Sequence, residues 1–150
     1  MTDWNGQIIE EFRANEGRVG GRFEGRPLLL LHTVGARSGA ERINPVMYLR
    51  DGDRLVVFAS KGGAPTNPDW YHNVQAHPDA TVEIGTERFP VRARIAEGEE
   101  RDALYAEQSR RYPMFATYQA GVDRTIPVVV LERGVIVAEA DGRSGGAAGG

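Results

Sequence analysis

Cysteine is absent from this 150-residue chain, which excludes a disulfide, a thiolate nucleophile and a cysteine-ligated metal. Lysine is nearly absent: of 18 basic residues one is Lys61 and the others are arginine. Apolar runs such as Leu28–Leu31 are far too short to cross a bilayer. The acids near the N-terminus replace the apolar stretch of a signal peptide, and a cytoplasmic setting is expected. The net charge of −3, with arginines and acids interspersed, gives no field for a polyanion, so no nucleic acid partner is expected. There is no phosphate-binding Gly-x-x-x-x-Gly-Lys-Ser/Thr loop and no Gly-x-Gly-x-x-Gly after a strand. His32, His72 and His77 lack metal-site spacing, so no metal is expected.

What remains reads as one globular domain. Trp4, Ile8 and Phe12 recur every four residues, with Ile9 beside them, and predict a helix over Asp3–Asn15. Its apolar face is covered either by the core or, as a weaker alternative, by a membrane surface, against which Asp3, Glu10, Glu11 and Glu16 would repel anionic lipid. Gly17–Gly25 reads as a flexible connection. Strands are predicted over Leu28–Val34, Arg42–Arg50 and Leu55–Ala59, the last two joined by the Asp51-Gly52-Asp53 hairpin turn. Pro45 removes a ladder donor from the second strand and belongs at an edge or bulge.

Pro68–Ala76 is predicted as a helix capped by Asn67. A hairpin over Thr81–Ile84 and Arg88–Ala96 turns at Gly85, and Gly98–Tyr112 is a helix with Glu99 and Glu100 in its first turn. After Pro113 come a short helix to Gln119 and a strand over Ile126–Leu131. The chain therefore divides into an N-terminal helix and linker (1–19), a barrel domain (20–140) and a glycine- and alanine-rich tail (141–150) expected to be disordered. Hairpin-length connections argue for an α+β fold, a small and mostly antiparallel barrel with peripheral helices, and against a parallel sheet.

Three clusters carry chemistry. The first is Gly35-Ala36-Arg37-Ser38-Gly39 with Arg42, the second the turn Ser60-Lys61-Gly62-Gly63, and the third Asn67-Pro68-Asp69-Trp70-Tyr71-His72-Asn73. Each has a plain alternative: solvated arginines on a hairpin turn, or Trp70 in the core with Asn73 on the same helical face. Their complementarity favours a ligand. Arg37, Arg42 and Lys61 supply cations, Ser38 and Ser60 hydroxyls, and Phe58 and Trp70 flat apolar area, which suits a planar ring with an anionic tail.

The chain resembles the deazaflavin-dependent nitroreductases and quinone reductases of actinobacteria and archaea, which use coenzyme F-420. Six ordered blocks carry the resemblance: Thr33-Val34-Gly35-Ala36-Arg37-Ser38-Gly39, Arg42-Ile43-Asn44-Pro45, Leu49-Arg50-Asp51-Gly52, Ala59-Ser60-Lys61-Gly62-Gly63, Asn67-Pro68-x-Trp70-Tyr71-x-Asn73 and Asp123-Arg124-Thr125-Ile126-Pro127. The resemblance implies a split β-barrel of the flavin mononucleotide-binding kind and hydride transfer from reduced F-420 to a quinone, nitroaromatic or activated enone. It implies that Ala36, Arg37, Ser38 and Arg42 bind the cofactor's phosphate and tail. Phe58, Ala59, Ser60 and Lys61 would hold phosphate and ring, with Asp69, Trp70, Tyr71, His72 and Asn73 beside the ring.

The acceptor pocket is expected to include Met47 and the stripe Tyr112, Phe115 and Tyr118, whose spacing of three also suits core packing. Relatives often carry tyrosine where Phe115 stands, which leaves Tyr112, Tyr118 or solvent to deliver a proton. Two rival readings are a flavin mononucleotide enzyme of the same fold and a non-catalytic carrier of reduced deazaflavin.

Overall fold

The computed structural model describes residues 4–20 and 26–133; the predicted tail and most of the Gly17–Gly25 connection lie outside them. Among the described residues, six strands close into an antiparallel barrel in the order β1-β2-β3-β6-β5-β4, with four α-helices around it. β1 (Leu28–Val34) is bounded by Pro27 and Gly35, as predicted. Its apolar run does not alternate because both faces are covered: Leu29 and Leu31 point into the barrel, and Leu28 and Leu30 pack against α1 (Trp4–Ala14). Ile8 and Phe12 are buried there with Val19, so the domain's own core covers this part of the helix face. Trp4's side chain is outside the described part. No helix among the described residues is long and apolar enough to cross a membrane.

β2 (Glu41–Asp51) changes partners along its length. Residues from Glu41 to Met47 pair with β1, while only Tyr48–Asp51 pair with β3 (Arg54–Phe58). The wall therefore splits beside residues 41–47, where Pro45 sits opposite Leu30 with no β3 neighbour. This is the edge position expected of a proline in a strand. β4 (Asp79–Ile84) and β5 (Glu87–Ile95) form the predicted hairpin, and β6 (Val128–Arg133) pairs with both β5 and β3 to close the barrel. Outside the barrel, Val56, Phe58, Val128 and Val130 pack with Leu104 and Tyr105 of α3 (Gly98–Arg111) and Phe115 of α4 (Met114–Ala120).

α2 (Asp69–Ala76) begins at Pro68, not at an Asn67 cap. Asn67 makes no cap bond because its side-chain oxygen accepts from Arg124, 57 residues away, an engagement that local capping rules do not see.

A polar clamp fixes the end of α1 to the barrel. Arg13 donates to both oxygens of Glu83 (3.2 and 2.7 Å), and His32, buried between two carboxylates, lies 2.5 Å from Glu83 and 3.0 Å from Glu41. Gly17, at φ 92°, then lies so close to the β4–β5 turn that a Cβ would come within 2.7 Å of Gly85 Cα. The Arg13 guanidinium, and then His32, hold the Glu83 carboxyl below its ordinary value of 4.5, and His32 does the same for Glu41. Because the folded values are depressed, the stabilisation is present above the ordinary value and is lost as pH falls through the folded ones. The melting temperature is expected to fall as pH drops below the ordinary carboxylate range. Glu83→Gln flattens part of that decline, which a series of thermal melts measures.

Candidate functional site

The split wall opens a groove built from two cavities, of about 620 and 530 Å³, that meet at Asn44 and Asp69. One end lies over the β1–β2 turn and carries Ala36, Arg37, Ser38, Arg42 and His72. The turn folds on itself through Gly35 N to Ala40 O (2.8 Å), Gly39 N to Gly35 O (3.0 Å) and Ala40 N to Ser38 Oγ (3.1 Å). Asn73 pins it to α2: its buried amide accepts from Ala36 N at 2.9 Å and donates to Thr33 Oγ1 at 3.0 Å. Those bonds occupy both ends of the Asn73 amide, making it a positioning residue for the turn. Arg37 and Arg42 are exposed and form no ion pair among the described residues, so two guanidinium groups face the groove without a protein counter-charge.

The other end follows β3. Lys61, Gly62 and Gly63 hold three successive positive φ angles of 50°, 64° and 86°. Glycine adopts that conformation freely; lysine does so at a cost. The resulting 3-10 turn, Lys61–Gly63, brings the lysine ammonium to the groove, where it donates to Thr66 Oγ1 at 3.4 Å. Gly63 passes under Tyr118, whose ring would lie 3.1 Å from a Cβ there, so the turn and α4 are packed together.

The turn's scaffold is Arg124, in the loop before β6. Its guanidinium donates to Ala64 O (2.9 and 3.2 Å), Ser60 O (3.1 Å), Ala59 O (3.3 Å) and the side-chain oxygen of Asn67. Gln119 holds this loop in turn, donating to Arg124 O at 2.8 Å and accepting from Ile126 N at 2.9 Å and Arg101 Nη2 at 2.7 Å.

Met47, Phe58, Phe115 and Tyr118 give this end an apolar floor. Phe115 stacks edge-on against Phe58 at 5.7 Å and Tyr118 at 5.3 Å. Behind them Tyr105 donates to Phe115 O at 2.6 Å, and burial pushes its phenol up to about 12. Trp70 is 4% exposed and packs into the barrel core with Leu29, Leu31 and Val74, although it also lines the groove.

Most of the residues singled out in the sequence line this groove; three do not. Ala59 is fully buried, Tyr71 packs against the barrel and accepts from Gln75, and Tyr112 packs beside the α3–α4 cluster. Arg26 and Met114 line the groove without a motif to announce them, and Asn44 and Arg124, although inside motifs, carried no assigned role. No group of histidine and acidic side chains among the described residues can hold a metal ion.

Fold and groove define a class: a split barrel whose seam carries unpaired cations at one end and an aromatic, apolar floor at the other. That arrangement fits a flat redox ring with a long anionic tail. The profile of the F420H(2)-dependent quinone reductases matches residues 4–133. An F420H(2)-dependent quinone reductase of Mycobacterium tuberculosis is 40% identical over 126 residues, covering 81% of this chain and 85% of that one. A solved F420-H2 dependent reductase is 42% identical with a TM-score of 0.66, covering 71% of this chain and 95% of its own. A second solved structure, described as a domain-swapped dimer, is 37% identical with a TM-score of 0.68, covering 84% of this chain and 94% of its own. The chain belongs to the F420H(2)-dependent quinone reductase family.

Proposed function

We propose that the groove binds reduced coenzyme F-420 and presents it to a quinone. Arg37, Ser38 and Arg42 take the acidic tail and phosphate, Ser60 and Lys61 the phosphate and ring edge, and the floor of Met47, Phe115 and Tyr118 takes the acceptor. The observation that carries the reading is the alignment of Arg37, Arg42 and Lys61, each without an acidic partner among the described residues, along a groove that ends on aromatic rings. Asp69 is the one acid lining both cavities and lies between the cationic groups, which keeps the waist of the groove from being uniformly positive.

When bound, the cofactor supplies a hydride. The protein's residues supply orientation and charge, which account for most of what is required when the hydride comes from a coenzyme. Nitroaromatics and activated enones fit the same floor. Phe115 offers no hydroxyl and Tyr112 does not line the groove, so Tyr118 and solvent are the proton sources within reach.

Titration of the purified protein with F-420 and with flavin mononucleotide, followed by an assay at the deazaflavin absorbance band with several acceptors, tests the reading. Deazaflavin should bind and turn over with quinones; binding without turnover would leave a carrier, and preference for flavin mononucleotide would overturn the cofactor assignment. Lys61→Ala is expected to weaken F-420 binding by about 1.5–3 kcal/mol through loss of a charge-assisted bond. Lys61→Gly should lose the same affinity yet keep fold stability or gain up to about 1 kcal/mol, because φ 50° suits glycine. An unchanged dissociation constant in both variants removes Lys61 from the site. Phe115→Tyr adds a hydroxyl on the acceptor side and is expected to change kcat across an acceptor panel by more than it changes F-420 affinity.

A further inference from the structure

Arg26 is a cation at the acceptor end of the groove to which the reading above gives no task. Its place is set by the backbone: Pro27 O accepts from Tyr48 N at 3.2 Å, and the β1 register sets Leu28 opposite Met47, so Arg26 emerges where the barrel wall splits. The side chain lies beside Met114, with Nη1 3.5 Å from Sδ, and forms no ion pair among the described residues. A thioether is a weak acceptor, and this is the one side-chain hydrogen bond of Arg26 among the described residues, which leaves the remainder of its donor fork to solvent, to the neighbouring cavity that it shares with Glu11 and Glu16, and to whatever enters the groove. The same cavity is lined by Met47, Met114, Phe115 and Tyr118 as well as by the polar Asn44, Ser60, Lys61 and Asp69, and in its apolar part a charged donor acts strongly on an oxygen that gains charge.

We propose that Arg26 donates to the acceptor oxygen on which negative charge develops, and so selects acceptors that become oxyanions or already carry one, quinones with an ionised hydroxyl included. This rests on the quinone-reducing role proposed above. In the balanced reaction, two electrons and one hydrogen reach the quinone as hydride, leaving one of its oxygens anionic in a hydroquinone monoanion. One proton from solvent completes the hydroquinone, and solvent receives one in exchange from the ring N–H of the cofactor. A guanidinium is a donor that does not give up its protons in proteins, so Arg26 stabilises the anion and is not the proton source. That division of labour suits a floor in which Phe115 has no hydroxyl to give.

The test compares the wild type with Arg26→Lys and Arg26→Gln, each first shown by thermal melting to be folded. Dissociation constants are measured for 2-hydroxy-1,4-naphthoquinone, an anion at neutral pH, and for neutral 1,4-naphthoquinone. Both are measured on protein saturated with oxidised F-420 and on cofactor-free protein, so that no turnover enters the reading. Arg26→Gln should bind the anion about tenfold or more weakly, and Arg26→Lys should fall between it and the wild type. Affinity for the neutral quinone should change less than about twofold, and kcat with it should fall in Arg26→Gln while F-420 affinity stays constant. Equal affinity of all three proteins for the anion, or failure of the wild type to bind it, overturns the inference. Failure of the wild type to bind F-420 overturns the proposed function instead, and the cofactor-free measurements still decide the role of Arg26.

Discussion

Arg124→Ala will cost the protein about 2–4 kcal/mol of stability and most of its affinity for F-420. One guanidinium holds three backbone carbonyls and the Asn67 amide, all on the segment that carries Lys61. Truncation leaves those carbonyls without their donor and releases a turn in which three successive residues hold left-handed conformations, one of them a lysine. Arg124→Lys restores the charge but not the planar fork, and a single ammonium cannot reach four acceptors at once. It should therefore recover part of the stability and little of the affinity. Urea unfolding together with F-420 titration of the folded variants checks both quantities. Wild-type affinity in a destabilised Arg124→Ala would show that the turn keeps its shape without the clamp.

The same contact marks where sequence reasoning stops. Lys61 stands out in the sequence because it is the one lysine among 18 basic residues and is followed by two glycines, and the geometry of that turn is local. β1 is legible for a similar reason, since its apolar run ends at Pro27 and Gly35. What fixes the Lys61 turn in space is an arginine about 60 residues further along the chain, and no local pattern links the two. The displacement of Asn67 from its expected capping role has the same origin: a long-range donor outcompeted a short-range one. Barrel closure through the β3–β6 and β5–β6 pairings is also non-local, so the strands could be predicted while their order could not. Arg26 lies next to a proline in an otherwise unremarkable stretch, and only the β1–β2 register brings it to the acceptor end.

Trp70→Ala is expected to be the most destabilising single change, at about 3–5 kcal/mol. The indole is 4% exposed and fills the space between α2 and the barrel core beside Leu29, Leu31 and Val74, all three of which are also nearly or fully buried. Its removal leaves a cavity that the strands of the closed barrel, held by their ladders to their neighbours, collapse only partly to fill. Trp70→Phe keeps a ring in the cavity and should cost less. Denaturant unfolding gives the stability, and F-420 titration of the folded protein gives the affinity. A Trp70→Ala protein of normal stability that binds F-420 poorly would mean that the indole stacks on the ligand and contributes little to the core. The packed position predicts the reverse order of effects.

The exchange of neighbours along β2 has a thermodynamic consequence. Over residues 41–47 one flank of that strand has no strand among the described residues to answer its amides and carbonyls, so this part of the cylinder lacks a stave. A molecule lying in the gap would supply the missing contacts, and its free energy of association would add to the cohesion of the whole shell. Heat resistance and occupancy are thus tied together in this protein: a change that zipped the flank shut would harden the shell and bar its ligand by the same stroke.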